Sequence, residues 1–236
     1  MKDIEKAMAK EQEYIEFRKK GKEPFHLVDA VKECGFESLE EYFKAKQRYE
    51  FEQLSFDIIE TAPNRAIADV MDCIANKKTA ILFAVTPYTL IWNGNGSLYN
   101  DVYCDEHKIP VYPLYTGGGT LVSTKGDLNI GICVPKISCT NVRLFLDGFA
   151  NILRKFTNDT VTVEGNDVLV NDKKVLGTAN YSSNGMFVIV TPVSMSEKND
   201  LIDCICIKKS VKMPSHIDFM DAGEFRQEVE SWLGIR

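Results

Sequence analysis

The spacing of apolar side chains changes character near residue 51. Before that point charged residues dominate, and apolar ones recur at helical intervals. Met1–Lys20 is predicted as one helix with a thin apolar stripe, broken by Gly21-Lys22-Glu23-Pro24. His26–Cys34 makes a short second helix, with Gly35 placed as its C′ residue. Ser38-Leu39-Glu40-Glu41 has the form of a capping box opening a third helix that runs to Tyr49. Residues 1–50 are therefore expected to form a helical extension beside a domain spanning 51–236.

From Phe51 onward the texture is that of strands. A helix over Ala66–Ala75 precedes TAILFAVTPYTLIWNG, a β-rich stretch with a bend at Thr86-Pro87. Ile109–Tyr115 is a short strand weakened by Pro113. Residues 120–135 suggest two strands around Lys125-Gly126. Val142, Leu144, Phe145, Phe149, Ile152, Leu153 and Phe156 keep helical spacing, with Asn141 as the cap. Strands are expected at 160–164, 167–170, 175–180 and 186–191. Cys204 and Cys206 fall on an alternating, strand-like run. Asp221–Leu233 closes the pattern as an amphipathic helix with Phe225, Val229 and Trp232 inward. There are no internal repeats. The order predicts an α+β fold, a mixed and mostly antiparallel sheet with flanking helices, rather than a doubly wound repeat.

Composition narrows the function classes. The 236 residues carry a net charge of −6, which argues against nucleic acid or an anionic membrane as the main partner. No apolar run reaches the ~20 residues of a spanning helix. Met1–Tyr14 lacks the apolar centre of a signal peptide, so a cytoplasmic location is expected. Seven cysteines without a CxxC motif, and three scattered histidines, suggest neither a disulfide framework nor a zinc site. Each cysteine reads first as a small buried apolar residue.

Two stretches carry candidate chemistry. Gly165–Ala179 reads as a hairpin, with a strand at 167–170, a polar turn at Asn171-Asp172 and a return from Val175. Lys174 in this hairpin is either a solvated turn residue or a reagent. In Tyr115–Ile132, the run Gly117-Gly118-Gly119 lets a ligand approach the backbone and exposes N–H donors. It matches neither the P-loop nor the dinucleotide-binding glycine pattern.

Together these stretches resemble the lipoate–protein ligases of the biotin/lipoate protein ligase superfamily. The matching residues are Gly117-Gly118-Gly119, Asp127-Leu128-Asn129, Asn166-Asp167 and Lys174-Val175-Leu176-Gly177-Thr178-Ala179, preceded by Cys104–Val111. The resemblance covers residues 51 to 195 and implies a class II biotin/lipoate ligase-like catalytic domain. It implies that lipoate, octanoate or a similar short acid is activated with ATP and Mg²⁺ as an acyl-adenylate. The acyl group then passes to a lysine of a lipoyl carrier domain or small carrier protein. By the same likeness, Lys174 touches the acid's carbonyl and the α-phosphate. Thr116, Gly117, Gly118, Gly119, Asn129, Asn166, Asp167, Gly177, Thr178 and Ala179 bind substrate or nucleotide. Asp167 orients the lysine or helps hold Mg²⁺.

The departures from the family pattern are specific. Pro113-Leu114 stand where many members have an arginine pair, and Ser123 lies near the place of a histidine. A downstream Ser-Val-Arg-Ser-Arg-like segment is replaced by KKSVKMPSH, and Lys125 is a candidate replacement charge. The length leaves no room for the family's C-terminal accessory domain. A biotin ligase would also carry Asn-Asp and Lys-x-x-Gly, but its Gly-Arg-Gly-Arg loop is missing. Other readings are an octanoyl or lipoyl transferase with Cys206 as nucleophile, ahead of Cys204, and a non-catalytic ligand-binding relative.

Overall fold

The computed structural model describes residues 2–22, 25–94, 97–114, 119–136, 141–207 and 214–235. The chain divides into two compact units. One holds the N-terminal residues to Leu54, and the other begins at Ser55.

The first unit is three helices, α1 (Ile4–Lys19), α2 (Leu27–Glu33) and α3 (Leu39–Glu52). Asp3 caps α1 by accepting from the Lys6 amide. Gly35 ends α2 with φ of 90°. There the Gly35 N–H reaches Lys32 O and the Phe36 N–H reaches Val31 O, satisfying carbonyls the helix leaves open. The capping box expected at Ser38 is half formed. Ser38 Oγ accepts from Glu41 N at 3.2 Å, but the Glu41 carboxylate accepts from the Glu37 amide at 2.7 Å and pairs with Lys2. Ala7, Val31, Cys34, Phe36 and Tyr42 form a small buried core. The Tyr42 hydroxyl donates to Glu11, which also holds Lys46.

The second unit runs β1 (Asp57–Glu60), α4 (Pro63–Ala75), β2 (Ala80–Val85), β3 (Leu90–Gly94), α5 (Asp101–Glu106), β4 (Val111–Leu114), β5 (Thr120–Ser123), β6 (Leu128–Pro135) and α6 (Val142–Leu153). It continues with β7 (Val161–Glu164), β8 (Asp167–Val170), β9 (Lys173–Gly177), β10 (Ala179–Ser183), β11 (Met186–Val193), α7 (Asn199–Ile205) and α8 (Ala222–Trp232). The larger sheet has the order β1-β2-β6-β11-β9-β8-β7, with β10 also on β11. Among its described strand pairs, only β1–β2 is parallel. The smaller sheet is β4-β3-β5, which puts the Pro113-bearing strand at an edge, where a missing N–H is tolerated. The mixed, mostly antiparallel α+β fold expected from the pattern is thus the observed one.

Helix α6 lies against the large sheet with Phe145, Leu146, Phe149 and Leu153 fully buried. Asn141 caps it, accepting from Leu144 N. Gly148 is a packing necessity, because a Cβ there would come within 2.1 Å of the Trp232 ring of α8. Trp232 meets Phe145 and Phe149 edge-on across that slot. Asp221 and Glu224 close a complete capping box at the start of α8.

One expectation fails here. Cys204 and Cys206 do not sit on a strand. Asn199–Ile205 is helix α7 and Cys206 is its C-cap. Five alternating residues are too few to separate the two periods. Tertiary packing decides instead: Leu201, Ile202 and Ile205 join Ile91, Cys104 and Val122 in one apolar cluster. Among the described residues, no helix is long and apolar enough to cross a membrane.

Candidate active site

The β8–β9 hairpin turns at Asn171-Asp172, both with positive φ, 49° and 62°. That is the two-residue turn whose twist suits a hairpin. Such a turn needs no further residues, so β9 starts at Lys173 rather than at the expected Val175. Leu169 then faces Lys174, but Val168 faces Leu176 and Asp167 faces Gly177. Val175 is therefore an unmatched extra residue, a β-bulge.

The bulge aims the lysine. In an unbroken strand, positions 174 and 177 face opposite sides of the sheet. One extra residue puts them on the same side. Lys174 Nζ lies 2.8 Å from Asp167 Oδ1 on the neighbouring strand. The ammonium and its Cε both pass 2.7 Å from where a Cβ on residue 177 would be. Glycine at 177 is what lets the lysine lie there. The Lys174 side chain keeps 30% exposure and Asp167 19%, so the pair is supported yet reachable. Lys173 is exposed. The Thr178 amide and hydroxyl both donate to the Asn166 carbonyl, closing the strand ends around the pair. Ala179 opens β10 opposite Val190.

The structure thus brings together Lys174, Asp167, Gly177, Thr178 and the Asn166 backbone. Thr116, Gly117 and Gly118 lie outside the described residues, as do residues 208–213 of the KKSVKMPSH segment. The Gly119 carbonyl accepts from Gly94 N. Asn129 is buried on β6. Its amide donates to Thr86 Oγ1 at 2.7 Å and its oxygen accepts from Ser123 Oγ. Its polar groups are committed to these neighbours. Lys125 is exposed on the β5–β6 turn. Cys206 Sγ is 3.8 Å from the Thr120 carbonyl, at the head of β5. Among the described residues, no cluster of three or more His, Cys, Asp or Glu side chains could hold a metal.

Two features escaped the sequence. The first is the ion pair between Asp127 and Lys198, with side chains 1% and 6% exposed. Asp127 also accepts from the amides of Thr124 and Met195, each at 2.8 Å, and from the hydroxyls of Thr124 and Ser196. Burial pushes the Lys198 ammonium below its usual pKa, and Asp127 opposes that shift. The Thr124-to-Asp127 spacing is that of a turn whose side chain bonds its own backbone, but nothing local announces Lys198.

The second is a cavity between α4 and the faces of the two sheets, about 630 Å³ with its mouth included. Ile67, Val70, Leu82, Ala84, Leu121, Ile130 and Val190 give it a nearly continuous apolar wall. Asn129 and Pro192, paired across β6 and β11, also line it. Val193, next to Pro192, pairs with Leu176 of the lysine-bearing strand.

Comparison with known proteins adds a family and a fold. The model of the lipoyl protein ligase A/B catalytic domain matches residues 77–211, more than half of the chain. Among solved structures, the chain is similar to a bipartite lipoate protein ligase from Thermoplasma acidophilum, studied with its E2 lipoyl domain. The identity is 18%, the TM-score 0.64, and 78% of this chain and 86% of that one are covered. It is similar to a lipoate-protein ligase A bound with ATP, at 17% identity and TM-score 0.62, covering 77% of this chain and 87% of that one. It is also similar to LipL1 of P. falciparum in complex with lipoate, at 13% identity and TM-score 0.63, covering 76% and 63%. At these identities the likeness establishes the fold. Among curated proteins no sequence match is found.

Proposed function

The chain belongs to the lipoyl protein ligase A/B catalytic-domain family, and from that premise we propose that it activates lipoate or a similar short acid with ATP and delivers it to a carrier lysine. The observation that carries this reading is the Lys174–Asp167 pair lying over Gly177. In the first step a carboxylate oxygen attacks the α-phosphorus of ATP. The bond to pyrophosphate breaks, and an acyl-adenylate forms. In the second, the amine of a carrier lysine attacks the acyl carbon. AMP leaves, an amide forms, and the amine loses a proton. Both steps build negative charge on oxygen. An ammonium has more N–H donors than Asp167 uses, so Lys174 can stay oriented and still face that charge.

The apolar cavity suits the hydrocarbon tail of such an acid. The similar proteins with bound lipoate and bound ATP support both substrates. The bipartite ligase paired with a lipoyl domain supports a carrier domain as acceptor. Mg²⁺ would arrive with the nucleotide, held mainly by phosphate oxygens, with Asp167 as the candidate carboxylate.

The test is mass spectrometry and pyrophosphate release with ATP, Mg²⁺ and lipoate, octanoate or biotin in turn. Wild type retains an acyl-adenylate with one of the acids. Lys174→Ala loses it, by a hundredfold or more in rate, and Lys173→Ala does not. Equal activity of the two variants would remove Lys174 from the chemistry.

One observation favours a second reading, ATP-independent transfer through a thioester on Cys206. Its thiol sits against the Thr120 carbonyl, where the strand after the glycine run begins. Acyl transfer from an acylated carrier without ATP, abolished by Cys206→Ser, would establish it over the ligase.

A further inference from the structure

The cavity's polar side chains fall into two groups. Thr61 donates its hydroxyl to Asp69, and Asn129 is held by Thr86 and Ser123. Trp92 is different. It is 4% exposed, lines the cavity from β3, and its indole Nε1 has no hydrogen-bond partner among the described residues. Tyr181 of β10 also lines the cavity, and its hydroxyl makes no hydrogen bond to a described residue. Burial raises the Tyr181 phenol to about 12, so it too is a neutral donor at physiological pH.

A buried N–H without an acceptor is uncommon and unfavourable, and asks for an explanation. The indole can only donate, so the missing partner is an acceptor. The neighbouring wall, Leu121 across the β3–β5 pairing and Ala84 on β2, offers no side-chain acceptor. The missing partner is then an atom of whatever enters the cavity.

We propose that Trp92 makes the cavity selective for acids whose tail carries a hydrogen-bond acceptor, an oxo oxygen, over saturated fatty acids of the same length. The proposal rests on the ligase reading, in which the cavity receives the acid's tail. A saturated tail fills the apolar wall and leaves the indole unpaired. An oxygen part-way along the tail exchanges its bond to water for one to Nε1 inside a medium of low polarity, where such a bond is stronger. A site with a buried donor rejects the ligand that cannot use it.

The test is calorimetric titration of the full chain with octanoate and with 6- and 7-oxooctanoate, without nucleotide. At least one oxo acid binds tighter than octanoate, on the order of tenfold. In Trp92→Phe the three acids bind alike. Equal affinities in the wild type, or a preference that survives Trp92→Phe, would overturn the proposal. If none of the acids binds, the ligase reading fails and the proposal falls with it. If Trp92→Phe does not fold, as judged by near-ultraviolet circular dichroism, the wild-type affinities decide alone.

Discussion

The second unit holds two lysine–aspartate pairs with opposite surroundings. Lys174–Asp167 spans two neighbouring strands of one hairpin and keeps a path to solvent. Lys198–Asp127 joins residues far apart in sequence and is sealed. Around Asp127, backbone amides and hydroxyls fill the carboxylate's acceptor positions. Around Lys174, the space beside the ammonium is kept open by the missing side chain at Gly177. The contrast teaches that ion pairing does not identify a working lysine. What else occupies the pair's polar positions does. The sealed pair fastens the segment after β11 to the β5–β6 turn. The open pair presents a charge.

Substitutions can separate the two roles. The largest effect is expected at Asp127→Asn. The ammonium of Lys198 would stay buried without its counter-charge, at about 3–5 kcal/mol of stability. Chemical denaturation measures it. Lys198→Met should cost clearly less, because Asp127 keeps its amide and hydroxyl donors and the thioether fills a similar volume. Comparable losses for the two variants would contradict the asymmetry.

Next in size is Gly177→Ala. The added methyl would collide with Lys174 Cε and Nζ, so the flexible side chain must move off Asp167. Adenylate formation should fall by roughly tenfold or more, as when one charge-stabilising donor is displaced. The melting temperature should barely change, since Gly177 has no positive φ to strain. A large drop in melting temperature with unchanged activity would mean that the glycine serves packing instead.

The smallest effect is expected for Lys174→Ala on stability. A partly exposed pair contributes about 0–1 kcal/mol and is screened by salt. Denaturation midpoints of wild type and variant should therefore converge as salt is raised. A loss of several kcal/mol would place Lys174 with the sealed pair.

The sequence disclosed the hairpin because its signals are local. Asn171-Asp172 can adopt positive φ, and alternating apolar residues flank the turn. Asn141, Gly35 and the Phe225–Trp232 spacing were legible for the same reason. The bulge at Val175 was not, since no glycine or special residue marks it. Register is set by the partner strand rather than by the residue itself. Short elements failed more openly. The Asp-Cys-Ile-Cys-Ile run alternates like a strand, yet packing of Leu201 and Ile205 wound it into α7. Helix α5 and strand β1 have too few residues to show a period. The partnership of Asp127 with Lys198, and the orphan indole of Trp92, exist only in three dimensions.

The unmatched residue at Val175 makes the hairpin a counting device. Inserting one residue between Val168 and Leu169, opposite Val175, would restore strict alternation and carry the ammonium to the opposite face of the sheet. Lysine, aspartate and glycine would all remain in the chain, so a comparison by residue identity would record no loss. For descendants of this gene, the hereditary content of the motif therefore lies in its spacing. A frame-preserving insertion of one codon in the facing strand is the change that would silence it while leaving its letters intact.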